Sequence, residues 1–173
     1  MGMLAFDNSA RHRAEGDERN VALTPPWLVE RIRAELFFGT IDLDPATTLE
    51  NPVGATRAVA LPDDGLMAPW GGLAVFCNPP YGPTTPRWVE KAILSEAQGA
   101  RVILLVPART ETRWFQRGLA ASTDALLLNR RLQFDKTIAV RRGVNAPFPS
   151  ALLSFGLLLR PLADLGLRIA VRG

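Results

Sequence analysis

The sequence predicts an α/β fold in which a mostly parallel sheet is covered by helices on both faces. Short apolar runs typical of buried strands alternate with segments of helical spacing. Almost every such segment is bounded by proline or glycine. The 173 residues suffice for one domain with a sizeable core. Residues 1–22 are polar and without apolar periodicity, so we expect a flexible arm followed by a single domain over residues 23–173.

The individual elements are predicted from caps, apolar runs and breakers. The first helix begins near Thr24, which can cap it, and Pro25 and Pro26 stand where backbone donors lack helical partners. Gly39 is expected to end it. Two more helices are predicted by apolar spacing, at residues 86–98 and 110–121. Strands are predicted at residues 40–44, stopped by a proline, and then at 57–61, 73–77, 102–106, 125–128 and 151–159.

The composition excludes several classes of protein. Hydrophobic residues make up 47% of the chain and charged residues 21%, as in ordinary globular domains. Cys77 is the single cysteine and His12 the single histidine, so neither an internal disulfide nor a metal site is expected. We see no signal-like start and no apolar span of about 18 residues. A cytoplasmic protein without a membrane partner is therefore expected.

Charge is distributed unevenly along the chain. Residues 1–100 carry a balance of −5, and residues 101–173 carry +8. A basic half is typical of proteins that bind a polyanion such as nucleic acid. Only 2 of the 20 basic residues are lysines, so GC-rich coding is an alternative reason for the arginine content. The asymmetry between the halves nevertheless favours a nucleic-acid partner.

The most informative motif is Asn78-Pro79-Pro80-Tyr81, which follows the apolar run 73–77. Two consecutive prolines cannot continue a strand, so the strand ends in a stiff turn with an amide on one side and an aromatic ring on the other. Open α/β sheets place their chemistry at such strand ends. An amide, a fixed carbonyl and a ring can hold a planar group that carries an amine. A simple turn or a polyproline ligand is the alternative interpretation.

Carboxylates stand at the ends of two other predicted strands. Asp42 and Asp44 alternate on one strand and therefore share a face, and Asp63 and Asp64 follow the next strand. In a parallel sheet these positions gather at one edge with the Asn78 turn. For a single aspartate, a helix cap or a solvated turn is the simpler interpretation. The glycine-rich signatures of dinucleotide and P-loop phosphate sites are missing from the sequence.

Together these features resemble a known family, the S-adenosylmethionine-dependent DNA adenine-N6 methyltransferases, and specifically its small phage Dam-type branch. The resemblance covers roughly residues 22–156 and implies a single-domain Rossmann-like methyltransferase fold. It rests on motifs in a particular order, namely Thr24-Pro25, Trp27-Leu28, Asp42-Leu43-Asp44-Pro45-Ala46, Asn51, Asp64-Gly65-Leu66, Trp70, Asn78-Pro79-Pro80-Tyr81-Gly82, Trp88, Pro107-Ala108, Trp114-Phe115 and, more weakly, residues 131–134.

The resemblance implies roles for the catalytic motif. Asn78 and the carbonyl of Pro79 would accept hydrogen bonds from the N6 amine of adenine, and Pro80 completes the rigid turn. Tyr81 would stack on the base, which must be rotated out of the duplex. The methyl donor would be S-adenosylmethionine. Asp44, with Pro45 and Ala46, matches the family's cofactor motif. Weaker candidates for donor contacts are Thr24, Asp42, Asp64 and Asn78.

Candidate contacts to DNA are arginines. Arg109, Arg113 and Arg117 recur every fourth residue and would form one stripe along a helix, and Arg141 and Arg142 lie in a polar loop. A stripe of this kind can bind phosphates or can simply be a solvated face. No segment is long enough for a separate target-recognition domain, so recognition would come from loops, the arm or a second subunit. The oligomeric state is left open.

Two other functions fit the same motifs. The Asn78 turn is equally suited to an amino methyltransferase that acts on an RNA base or on a protein glutamine. A cofactor-binding subunit that has lost its activity and assists a partner is a third possibility, which the intact Asn78 and Tyr81 argue against.

Overall fold

The structure is a computed structural model that describes residues 23–133 and 146–172. The predicted arm, Arg141 and Arg142 lie outside the described residues. One sheet is formed by seven strands: β1 (Leu43–Thr47), β2 (Arg57–Ala60), β3 (Ala74–Cys77), β4 (Arg101–Pro107), β5 (Asp124–Leu128), β6 (Ser150–Phe155) and β7 (Gly166–Ala170). The helices are α1 (Pro26–Leu36), α2 (Thr85–Glu96), α3 (Arg113–Ala121) and a 3-10 helix (Arg160–Leu165). The predicted α/β class is confirmed.

The strand order is β2-β1-β3-β4-β6-β5-β7. Three neighbouring pairs are parallel, β2 with β1, β1 with β3, and β3 with β4. The other three pairs are antiparallel: β6 lies between β4 and β5 and runs antiparallel to both, and the edge strand β7 runs antiparallel to β5. The sheet is therefore mixed rather than mostly parallel. An apolar run that is buried on both faces looks the same in either direction, which is why the sequence pattern did not show this reversal.

Two hydrophobic clusters use alternate residues of the central strands. Phe76 and Ile103 belong to the cluster that contains the buried face of α1. The neighbouring residues Val75 and Leu104 belong to the cluster that contains the buried residues of α2 and α3. Because successive side chains of a strand point to opposite faces, each cluster packs its helices against its own set of strand residues.

Strand β1 differs from the prediction in its bounds. It begins at Leu43 and continues through Pro45 to Thr47, so the expected stop at Pro45 was wrong. Against β2, the register shifts by one residue between Asp44 and Thr47. This bulge accommodates a residue that cannot donate a ladder hydrogen bond. Asp44, expected as the last residue of its strand, is therefore the second of five strand residues.

Helix α1 is capped differently from the prediction. Its N-cap is Pro25, and no side chain caps the helix, so the predicted cap at Thr24 was wrong. The helix ends at Leu36, and the backbone N–H of Gly39 then closes the turn by donating to the carbonyl of Arg33 at 2.9 Å. Gly39 has a φ of +97°, which a residue with a side chain rarely adopts.

The carboxyl-terminal elements were predicted incompletely. The predicted strand 151–159 ends at Phe155, and the 3-10 helix and β7 were missed. β7 is a short edge strand in which Leu167 and Ile169 alternate with Arg168, so its period-2 pattern was a usable signal although Leu167 is exposed. A Cβ on Gly166 would stand 2.0 Å from the carbonyl oxygen of Leu127, so only glycine allows β7 to approach β5 there.

Candidate functional site

The turn after β3 holds the amide that the sequence singled out. Asn78 directly follows the fully buried strand β3, and Pro79 is buried behind it. The Nδ2 group of Asn78 donates a hydrogen bond to Oγ1 of Thr24 at 3.1 Å. Thr24 is itself buried, just ahead of α1. The hydroxyl that was expected to cap a helix instead orients the carboxamide at the strand end.

Tyr81 occupies a defined position on the other side of the turn. Its hydroxyl donates to the carbonyl of Leu105 in β4 at 3.4 Å. Its ring packs edge-on against Phe148, with the ring centres 5.4 Å apart and the planes at 74°. Burial raises the pKa of the Tyr81 phenol well above its ordinary value, so the ring is neutral at physiological pH. The turn therefore presents a neutral, oriented aromatic ring beside the amide.

Asp44 is a buried carboxyl inside β1. Its Oδ1 accepts a hydrogen bond from the backbone N–H of Ala46 at 3.1 Å. Burial raises its pKa to about 7, although hydrogen bonds from Ala46 and Thr47 act in the opposite direction. The Asp44 charge adds to burial in raising the pKa of the Cys77 thiol, the last residue of β3. A cation bound beside Asp44 would favour its ionised form, so this carboxyl is suited to a positively charged ligand.

A cavity of about 280 Å³ opens at the carboxyl ends of β1 and β2. Pro45 and Ala46 form one side of it, and Pro80 and Arg87 at the start of α2 form another. The turn that carries Asp63 and Asp64 completes the lining. The cavity combines apolar walls with two carboxylates, as expected for a small-molecule site.

The turn that carries Asp64 is held against β1 by a close backbone approach. A Cβ on Gly65 would stand 1.7 Å from the carbonyl oxygen of Pro45, so the contact is possible only for glycine. The indole N–H of the buried Trp70 donates to the carbonyl of Gly65 at 3.0 Å. The Trp70 ring in turn packs 6.2 Å from that of Trp88. The position of the turn over the cavity is therefore set by the hydrophobic core.

Asp42 lies apart from these groups. Its Oδ2 accepts a hydrogen bond from the backbone N–H of Ala74 at 2.7 Å, at the start of β3. Asn78 stands four residues further along, which corresponds to roughly 13 Å of extended strand. Asn78 lies beyond the carboxyl end of β3 with Thr24 bonded to it, and Asp64 lies beyond the end of β2. Asp44 is the second residue of β1, and Asp42 precedes that strand.

The candidate DNA-binding arginines are separated by the structure. Helix α3 begins at Arg113 after an N-cap at Thr112, so Arg109 precedes the helix, and a common stripe of three arginines was wrong. Arg113 is exposed, and Arg117 forms an exposed ion pair with Glu90 at 3.1 Å. The guanidinium of Arg109 instead lies over the ring of Phe148, 6.0 Å from its centre.

Phe148 and Arg87 are site residues that sequence reasoning missed. Phe148 falls outside every predicted helix and strand, and only its place shortly before the apolar run 151–159 distinguished it. Arg87 stands on α2 within the cavity lining, but in the sequence it is one of many arginines. No cluster of three potential metal ligands occurs among residues 23–133 and 146–172. Within the same part of the chain, no helix has the length and hydropathy needed to cross a membrane.

The chain was compared with known protein families, curated proteins and solved structures. The family described as DNA N-6-adenine-methyltransferase (Dam) matches residues 12–158, which is most of the chain. Searches among curated proteins and among solved structures found no match. The matched range includes every described residue of the site, from Thr24 to Phe148.

Proposed function

The chain belongs to the Dam family of DNA N6-adenine methyltransferases, and from this premise we propose that it transfers a methyl group from S-adenosylmethionine to the N6 amine of adenine in DNA. The observation that carries the proposal is the oriented carboxamide of Asn78 at the end of β3, bonded to Thr24 and followed by the neutral ring of Tyr81. The mixed seven-stranded sheet with its helices is compatible with a methyltransferase-like fold.

The turn is suited to holding an aromatic amine. The bond from Nδ2 of Asn78 to Thr24 distinguishes the two ends of the carboxamide, so Oδ1 can supply an acceptor for one N6 hydrogen. The carbonyl of Pro79, in a backbone stiffened by two prolines, can supply the second acceptor. Two acceptors draw the nitrogen lone pair out of conjugation with the ring. The base must first be rotated out of the duplex, and Tyr81 offers a ring on which it can stack.

The donor is assigned to the cavity and to Asp44. S-adenosylmethionine supplies an electrophilic methyl group on a positively charged sulfonium. Asp44 would stabilise this charge, since its carboxyl titrates at about 7 and a nearby cation favours ionisation. Asp63 and Asp64 can accept hydrogen bonds from ribose hydroxyls or from an adenine amine. The cavity of about 280 Å³ is at the small end for a ligand site, so it would take only the adenosine part of the donor.

Catalysis would depend mainly on positioning. With the donor bound, the N6 lone pair would form the bond to the methyl carbon, and the carbon–sulfur electron pair would stay on the sulfur, which leaves as a neutral thioether. The surplus N6 proton would then be lost to solvent. The residues at the turn hold the amine in line with the methyl group and exclude water, and such alignment is worth several orders of magnitude in rate. Pro79 and Pro80 contribute because a rigid turn loses little entropy when the base binds.

Transfer of a labelled methyl group to duplex DNA, assayed beside RNA and protein substrates, tests the proposal. We expect transfer to adenine N6 of DNA, and a loss of at least about 100-fold for Asn78→Ala with donor binding retained. Donor affinity is measured separately by calorimetry. Transfer to RNA or protein alone would assign the other substrate class. Donor binding by the wild type without transfer to any DNA would refute the proposal and favour an inactive subunit.

A further inference from the structure

We propose that Arg109 binds the backbone phosphate of the nucleotide whose base enters the site, and that Phe148 couples this contact to Tyr81. The inference rests on the proposed function and deepens it, because it assigns two positioning residues for the rotated base. Arg109 lies over the Phe148 ring at 6.0 Å, and that ring packs against Tyr81 at 5.4 Å. The three side chains thus form one row of contacts beside the Asn78 turn, with Arg109 over the face of Phe148 and Phe148 edge-on to Tyr81; we call this row the stack.

The backbone of Arg109 is firmly held. Its N–H donates to the carbonyl of Pro107, the last residue of β4, at 2.8 Å. Its own carbonyl accepts from both the N–H and the hydroxyl of Thr112, at 2.9 and 2.7 Å. One residue earlier, the N–H of Ala108 donates to the carbonyl of Pro149 at 2.9 Å, which joins the end of β4 to the segment that carries Phe148. The guanidinium therefore projects from a rigid base.

The stack holds the guanidinium of Arg109 at a defined distance from the ring of Tyr81. Arg109 is exposed, whereas Phe148 is half-buried and packs against the hydrophobic cluster of α1. The two ring distances, 6.0 and 5.4 Å, place the guanidinium within about 11 Å of the Tyr81 ring. A single nucleotide with its adjoining phosphate bridges such a distance. A base on Tyr81 and its own phosphate on Arg109 can therefore be bound together, which favours the rotated state.

The contrast with Arg117 supports a specific role. Arg117 donates its Nε–H to Glu90 at 3.1 Å, and this pair reduces its net charge toward DNA. Among residues 23–133 and 146–172, no carboxylate forms an ion pair with Arg109. Its planar guanidinium can bind a phosphate through two hydrogen bonds while it stays over the Phe148 ring. The stack therefore presents a cation of defined orientation at the carboxyl edge of the sheet.

The test compares Arg109→Ala, Arg109→Lys and Phe148→Leu with Arg57→Ala as the charge-matched control. Arg57 is exposed at the amino end of the edge strand β2, the end opposite the site. The salt dependence of affinity is measured first on a non-specific duplex and then on a duplex that the protein methylates. Base rotation is followed by the fluorescence of 2-aminopurine at the target position. Thermal unfolding verifies that each variant is folded.

On the duplex that serves as substrate, we expect Arg109→Ala to reduce the slope of log affinity against log salt concentration by about 1, because one phosphate contact is lost. The same variant should lower the gain in 2-aminopurine fluorescence. Arg57→Ala should leave both unchanged. Arg109→Lys should keep the slope but lose part of the fluorescence gain, because lysine keeps the charge without the stacked plane. Phe148→Leu should lower the fluorescence gain by several-fold with little change in slope.

Two results would overturn the inference. One is a slope unchanged by Arg109→Ala, or changed equally by Arg57→Ala. The other is a fluorescence gain that Phe148→Leu leaves at the wild-type level. Failure of the proposed function is distinguishable, since it would appear as a wild type that transfers no methyl group to DNA. In that case the salt dependence of affinity for the non-specific duplex can still be measured, because it does not require methyl transfer.

Discussion

Replacement of Asp44 by asparagine should change stability and donor binding in opposite directions. Asp44 is buried in β1, and its pKa is raised from 3.8 to about 7. Below pH 3.8 the carboxyl is protonated in both folded and unfolded chains. As the pH rises toward 7, the unfolded chain ionises while the folded chain keeps its proton, so stability is lost across this range. Above pH 7 the loss is complete.

The magnitude follows from the two pKa values. A shift from 3.8 to about 7 corresponds to a loss of about 4 kcal/mol as an upper limit, of which about 3 kcal/mol falls between pH 5 and pH 8. Asparagine retains an Oδ1 acceptor for the Ala46 N–H and has no charge to bury. We therefore expect Asp44→Asn to gain about 3 kcal/mol in unfolding free energy relative to the wild type over that interval.

Urea unfolding of both proteins across this pH range is the assay, and the difference between them cancels the titration of all other groups. Donor binding is measured on the same samples. The wild type should bind S-adenosylmethionine more tightly as the pH rises through 7, since the ionised carboxyl attracts the sulfonium, whereas Asp44→Asn should bind weakly at every pH. Parallel unfolding profiles would refute the assigned ionisation. Donor binding equal to that of the wild type would refute the assigned role.

Two further substitutions test the supports of the site. Thr24→Val removes the hydroxyl that accepts from Asn78, and the loss of about 1 kcal/mol should lower the rate of methyl transfer about fivefold. Thr24→Ser should restore the rate. Equal rates for the valine variant and the wild type would show that Thr24 does not orient the amide. Gly65→Ala places a Cβ 1.7 Å from the carbonyl oxygen of Pro45 and should weaken donor binding at least tenfold. Met67→Ala, at an exposed position of the same turn, should leave donor binding unchanged. Equal calorimetric affinities of the Gly65 variant and the wild type would show that the turn does not shape the donor site.

The basic half of the chain is partly occupied by structural ion pairs. Arg168 binds the buried carboxylate of Asp124 at 2.6 Å and joins β7 to β5. Arg172 binds Glu96 at 2.8 Å and ties the carboxyl-terminal end to α2. These arginines stabilise the fold, so the charge balance of +8 overstates the surface that is available to DNA. Within the described part of this basic half, Arg109 contacts an aromatic residue of the site, Phe148.

Several features could be predicted because their causes are local. The double proline after Asn78 stops a strand through its own covalent geometry, whatever surrounds it. The apolar runs of β3 and β4 are buried on both faces and are therefore recognisable by composition alone. The exposed turn at Asp64 could also be predicted, because its side chain accepts a hydrogen bond from the N–H of Leu66, two residues along the chain, at 2.9 Å.

Other features depended on contacts between distant parts of the chain. The hydroxyl of Thr24 was free to cap a helix in sequence terms, but it binds an amide 54 residues away. The bulge at Pro45 exists because β2 pairs with β1 on either side of it. The stack of Arg109 on Phe148 arises from the antiparallel pairing of β4 with β6, which brings together two segments that no local pattern connects.

The rigid turn after β3, the α/β class and the family could thus be inferred from the sequence alone, since backbone stiffness, burial and motif order depend on neighbouring residues. Which polar groups bind to that turn depends on the tertiary structure. Hydrogen-bond partners, burial and pKa values depend on distances across the sheet, and these are set only when strands that are remote in sequence lie side by side.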